Sequence, residues 1–116
     1  MSMVDELKDL GANVDEAMQR FMNNAALYEK MLKKLPNMMK GSQVMDAIEA
    51  GNIEGAIETA HTLKGVLGNL SITPLYEAYT DIVALLRQND ADKAKSILAE
   101  SFPVEEKVIA CIEKYQ

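Results

Sequence analysis

Residues 53–70, IEGAIETAHTLKGVLGNL, carry apolar side chains at 53, 56, 57, 60, 63, 67 and 70. That spacing follows the 3.6-residue helical period and marks one face of an amphipathic helix. At 1.5 Å per residue, such a segment rises about 27 Å, enough to run the length of a small helical bundle. The same segment holds the only histidine of the chain, His61, with Gly65 and Gly68 following it at roughly one and two turns. A helix that interrupts its own interior twice with glycine gives up about 1 kcal/mol at each, so a packing or functional reason is expected.

The neighbouring segments read as further helices joined by short turns. DELKDL (5–10) forms a short helix stopped by Gly11, and NVDEAMQRFM (13–22) follows with Asn13 as N-cap and acidic residues in its first turn. NAALYEKMLKKL (24–35) places Leu27, Met31 and Leu35 on one stripe before Pro36 disturbs it. Residues 43–50 repeat the pattern with Val44, Ala47 and Ile48, and Gly51–Asn52 supply a C-cap and turn. Thr73 reads as N-cap and Pro74 as the first helical residue of a long helix bearing Leu75, Tyr79, Ile82 and Leu86. The last helix begins at Ala91 behind the cap Asp90 and carries Ala94, Ile97, Leu98, Val108 and Ile112, with Pro103 expected to kink or break it. No repeat or flexible linker divides the sequence, so residues 1–116 are expected to fold as a single all-α domain. Its expected architecture is an up-down antiparallel four-helix bundle with additional short N-terminal helices.

Composition narrows the function. With 18 acidic against 12 basic residues and a net charge of −6, the average field repels polyanions, so nucleic acid is not expected as a partner. A local basic cluster, KMLKKL (30–35), runs against that average. No apolar stretch approaches the roughly 20 residues needed to cross a bilayer, and the first residues lack the pattern of a secretory signal. No membrane association and a cytoplasmic location follow as expectations. Cys111 is the only cysteine and sits in the apolar run VIACI, which suits a buried thiol rather than a disulfide or zinc cluster. No Gly-rich nucleotide loop or kinase signature occurs.

His61 lies one step round the helix from the apolar stripe, on a face shared with Glu54, Glu58, Gly65 and Gly68. Helical side chains lean toward the N-terminus, so a residue at i+4 covers the imidazole of residue i, and Gly65 leaves that position bare. Lys64, at i+3, is placed to favour an anion carried by the ring. A neutral imidazole nitrogen near pH 7 is suited to accept a phosphoryl group or to move a proton. One histidine offers no metal-ligand spacing, and local spacing places no acid or thiol to complete a catalytic triad. A histidine beside an apolar stripe is also common for plain packing, and two glycines in a helix often mark a close helix crossing.

AHTLKG at 60–65 resembles the signature of histidine-containing phosphotransfer (HPt) domains, in which a His, an apolar residue at +2, a Lys at +3 and a Gly at +4 recur on a bundle helix. NVDEAMQRF, LYEKMLKKL and IEAGNIEGAIETAHTLKGVLGNL are similar to the family in order and spacing, so the resemblance covers most of residues 13–89. It implies that His61 accepts a phosphoryl group from a receiver-domain aspartate and passes it to another. Lys64 would give charge support, and Gly65 and Gly68 access. The implied partners are receiver domains of response regulators or hybrid sensor histidine kinases, and the expected oligomeric state is a monomer. No cofactor is expected on this domain, since Mg2+ would come with the receiver. Two positions depart from the family. Ser71 stands where a Gly is frequent about ten residues after the His, and Val83 stands where a Gln often holds the imidazole. Tyr76, Tyr79, Thr80 or a water are the alternatives for that bond. The alternative reading is a non-catalytic helical adaptor that binds a signalling partner without phosphorylation.

Overall fold

The structure, a computed structural model, describes residues 2–116. Among the described residues every regular element is helical: α1 Met3–Asp9, α2 Val14–Arg20, α3 Ala25–Leu32, α4 Leu35–Met38, α5 Gly41–Glu49, α6 Ile53–Asn69, α7 Thr73–Arg87 and α8 Ala91–Lys114. The four longest, α5 to α8, build the core. α6 packs on α7, α7 on α8, and α5 touches both α6 and α8. At 1.5 Å per residue α8 is about 36 Å long, and it accounts for most of the 41 Å long axis of the molecule. Among the described residues no helix is long and apolar enough to cross a membrane.

Caps and turns fix where each helix starts. Asn13, Asn24, Asn52 and Asp90 each accept a hydrogen bond from the backbone N–H three residues on, satisfying one of the donors that a helix start leaves free. Between α5 and α6 the chain turns at Gly51, whose φ of +78° is the left-handed conformation that glycine adopts without steric cost. The amides of Gly51 and Asn52 then close on the carbonyls of Ile48 and Ala47. α7 starts one residue earlier than its sequence suggests. Ile72 occupies the cap position, Thr73 is the first helical residue and Pro74 the second. Proline remains tolerated there because the amide it lacks has no partner inside the first turn.

The apolar stripe of α6 is buried as its period requires, with Ala56, Ala60, Leu63 and Leu67 at 2% exposure or less. It meets Leu75, Tyr79, Ile82, Val83 and Leu86 of α7, and Leu98, Val108 and Ile112 of α8 lie in the same core. α3 departs from expectation in phase. Leu27 is 41% exposed, whereas Tyr28 and Leu32 are fully buried. The Tyr28 hydroxyl donates to the carbonyl of Leu70 at 2.7 Å, and burial pushes that hydroxyl up to about 12. A ring that can both fill the core and satisfy its own polar tip takes the inner position over leucine.

Pro103 does not break α8, which runs through it to Lys114. Proline leaves the carbonyl of Ala99 without its helical donor, but Ala99 and Pro103 both lie on the exposed face, where water can replace the bond. On the inner face, the buried hydroxyl of Ser101 donates to the Leu98 carbonyl at 2.6 Å.

α1 to α3 gather over the end of the molecule where α6 hands over to α7. The amide of Asn13 donates to the carbonyl of Ser71 at 2.9 Å, and Arg20 Nη1 donates to the Asn69 carbonyl at 2.9 Å and to Ser71 Oγ at 2.8 Å. Ser71 Oγ in turn donates to Glu16 at 2.8 Å. The Ser71 hydroxyl, followed by the Arg20 guanidinium, holds the Glu16 carboxyl below the usual range.

Candidate functional site

His61 stands in the middle of α6, eight residues from its start and eight from its end, where the backbone is fully hydrogen-bonded and rigid. The side chain is exposed, as are Glu54, Glu58, Thr62 and Gly65 along the same side of the helix, and Lys64 is half-buried. Thr62 turns its hydroxyl back to the carbonyl of Glu58 at 3.1 Å. Among the described residues nothing hydrogen-bonds the imidazole. The ring is therefore presented outward from a stiff support.

The two glycines differ. At Gly65 a methyl group would meet nothing within 4 Å, so the space one turn beyond His61 is open. At Gly68 a methyl group would lie 2.8 Å from Cε1 of Tyr76, closer than such atoms approach, so the missing side chain there makes room for the tyrosine ring. Tyr76 covers that part of α6 and keeps 37% of its own surface exposed. The space beside Gly65 is thus open, while Gly68 lets α7 lay an aromatic ring against α6.

Two of the residues weighed as partners for the imidazole are turned away from it. Thr80 donates to the carbonyl of Tyr76 at 2.8 Å. Tyr79 is fully buried with its hydroxyl beside Gly41 at the start of α5 and the carboxylate of Glu105 on α8. Among the described residues that hydroxyl has no hydrogen-bond partner, and burial followed by the nearby Glu105 charge raises its pKa strongly. Glu105 accepts from the Gly41 amide, yet burial outweighs this bond and raises its carboxyl as well. Val83 is buried in the core. No local pattern marks this Gly41–Tyr79–Glu105 cluster, whose members lie on three different helices.

Ser71 takes a φ of +57°, which explains in physical terms why a glycine suits that position. Here the strain is offset by its bonds to Arg20 and Glu16. Beside the His61 face, on the side toward α4 and α5, a groove of about 320 Å³ is lined by Met38, Leu63 and Val66 together with Thr62, Glu58 and Lys40. Met38 and its contribution to this groove were not singled out by sequence pattern, because α4 is only four residues long. Cys111 is buried, and desolvation raises its thiol pKa, in keeping with a packing role. No cluster of three metal-ligating side chains occurs among the described residues.

Comparison with family models, with curated proteins and with solved structures returns no match, so the site is read from its geometry and its motif alone.

Proposed function

We propose that the protein is a histidine phosphotransfer module of a two-component phosphorelay, carrying a phosphoryl group on His61 between the aspartates of receiver domains in the cytoplasm. The observation that carries this reading is the open space at Gly65 one turn from an exposed, mid-helix histidine. A helix interior has no structural use for a glycine that touches nothing, since alanine there is better by about 1 kcal/mol. The bare position is accounted for when a second protein must bring its own active site to the ring. The finer architecture belongs to the same reading. α5 to α8, each packed on its neighbours and joined through residues 50–52, 70–72 and 88–90, make up an up-down four-helix bundle with α1 to α4 as additional N-terminal helices.

In the transfer step the lone pair of the unprotonated ring nitrogen forms a bond to phosphorus. The bond from phosphorus to the aspartyl oxygen breaks, and its electron pair leaves with the carboxylate. Onward transfer is the reverse of this step at a second aspartate. Little covalent chemistry is left to the protein beyond positioning and charge neutralisation, which suits a rigid helix. Lys64, at i+3, supports the phosphoryl charge. A pair 4 Å apart gains about 4 kcal/mol at an effective dielectric of about 20 and roughly 1 kcal/mol once solvent screening is counted. Mg2+ and the aspartate come with the receiver, and the module acts as a monomer without ATP. Incubation with a receiver domain phosphorylated by acetyl phosphate tests the reading. A base-stable, acid-labile label on the protein is expected, and an acid-stable label or none would overturn it.

A further inference from the structure

The charges of this acidic chain are not evenly spread. Lys30, Lys33 and Lys34 follow one another at i, i+3 and i+4, and Asn37 continues the row at i+7. Lys33 and Lys34 both keep right-handed helical backbone between α3 and α4, so the row stays on one side of a nearly continuous helical segment. All four residues are exposed, and Lys40 beyond them is exposed as well. Among the described residues none of these four lysines forms an ion pair, although the chain holds 18 carboxylates. The row does not end in solvent. Asn37, Met38 and Lys40 line the same groove as Glu58, Thr59 and Thr62 of α6, and His61 immediately precedes Thr62 in the chain.

Resting on the phosphotransfer reading, we propose that the receiver docks along this edge. One of its apolar side chains fills the groove at Met38, Leu63 and Val66, and an acidic surface on the receiver faces the row Lys30–Lys33–Lys34–Lys40. Charge complementarity selects this occupant. A phosphoaspartyl site that holds Mg2+ is ringed by carboxylates, and an acidic protein surface meets its complement here on the exposed, unpaired lysine row of the module. With the lysine row at one edge of the groove and Glu58 in its α6 wall, the charges fix the orientation of the partner, which raises the encounter rate and selectivity more than the affinity. A nucleic acid or an anionic bilayer is disfavoured as occupant by the net charge of −6.

The test compares the charge-reversed variant Lys30→Glu/Lys33→Glu/Lys34→Glu with a control, Lys93→Glu/Lys95→Glu/Lys107→Glu on α8, which changes net charge equally away from the groove. Second-order transfer to His61 is measured from an acetyl-phosphate-charged receiver domain, and labelling by phosphoramidate serves as a partner-free readout. The α3 variant is expected to lose at least tenfold in transfer rate at 50 mM salt, with the loss shrinking at 1 M, where screening reaches only about 3 Å. The α8 control is expected to stay within about threefold of wild type, and phosphoramidate is expected to label all three proteins alike. Equal rates for the two variants would overturn the docking edge while leaving the phosphotransfer reading intact. Failure of both phosphoramidate and the receiver to label wild-type His61 would overturn the phosphotransfer reading itself. Binding of the wild type to a DNA duplex or to phosphatidylserine vesicles, lost in the α3 variant, would reassign the lysines to another occupant.

Discussion

Gly65 separates stability from transfer more cleanly than any other position. Its backbone is ordinary α-helix and a methyl group there touches nothing within 4 Å, so Gly65→Ala removes the entropic cost of glycine without a clash. The expected gain is about 0.5–1 kcal/mol, which for a domain of this size raises the thermal midpoint by roughly 2–6 °C. Gly65→Gln recovers most of the same helix propensity, but its side chain leans toward the N-terminus and over His61 at i−4. Transfer from a phospho-receiver is then expected to slow at least tenfold, about 1.4 kcal/mol in the barrier, while labelling by the small donor phosphoramidate changes little. Gly68→Ala provides the contrast. Its methyl group would press on the Tyr76 ring at 2.8 Å, so it should fall below Gly65→Ala by about 1–2 kcal/mol. Thermal denaturation followed by circular dichroism, paired with transfer kinetics on the same preparations, supplies both readouts. A Gly65→Ala protein less stable than wild type, or a Gly65→Gln protein with wild-type transfer, would refute the argument that this glycine exists for access.

Two further perturbations test the frame around the site. Ser71→Ala keeps the left-handed backbone but loses the bonds to Arg20 and Glu16, so urea denaturation should show a loss of about 2 kcal/mol, whereas Ser71→Gly relieves the strain and should lose only about 1 kcal/mol. Equal losses would mean that the backbone at 71 is not strained. Burial raises the carboxyl pKa of Glu105 in the folded state, so the stability its protonated form contributes is present below the ordinary value near 4.5 and is lost as pH rises through the folded value. Glu105→Gln should therefore be more stable than wild type at pH 7, with the gain fading toward pH 4. A gain that grows on acidification would reverse the sign of this argument.

The parts of the molecule legible in the sequence are those in which one helix carries its own signal. The stripe of α6, the caps Asn13 and Asp90, and the Gly51–Asn52 turn depend on residues a few positions apart, and the structure places them as read. What was misplaced depended on a second element. Leu27 and Tyr28 are both apolar, and only the Leu70 carbonyl on another helix decides which turns inward. Gly65 and Gly68 look alike in sequence, and they are told apart by Tyr76 arriving from α7. Pro103 was expected to disturb α8, but the face on which its orphaned carbonyl falls depends on how α8 packs. The apolar groove beside His61 was hidden for the same reason, since Met38 is brought to α6 by a single turn of helix.

In the proposed function His61 both receives a phosphoryl group and gives it up again. The most direct measurement uses wild-type protein labelled through a radioactive phospho-receiver, purified away from it, and mixed with an unphosphorylated receiver domain and Mg2+ in the absence of ATP. The label is expected to sit on His61, to move to the second receiver on mixing, and never to enter His61→Gln, whose circular dichroism and thermal midpoint should stay close to wild type because the exposed imidazole packs against little. Label retained by His61→Gln, or label on His61 that no receiver can remove, would contradict it.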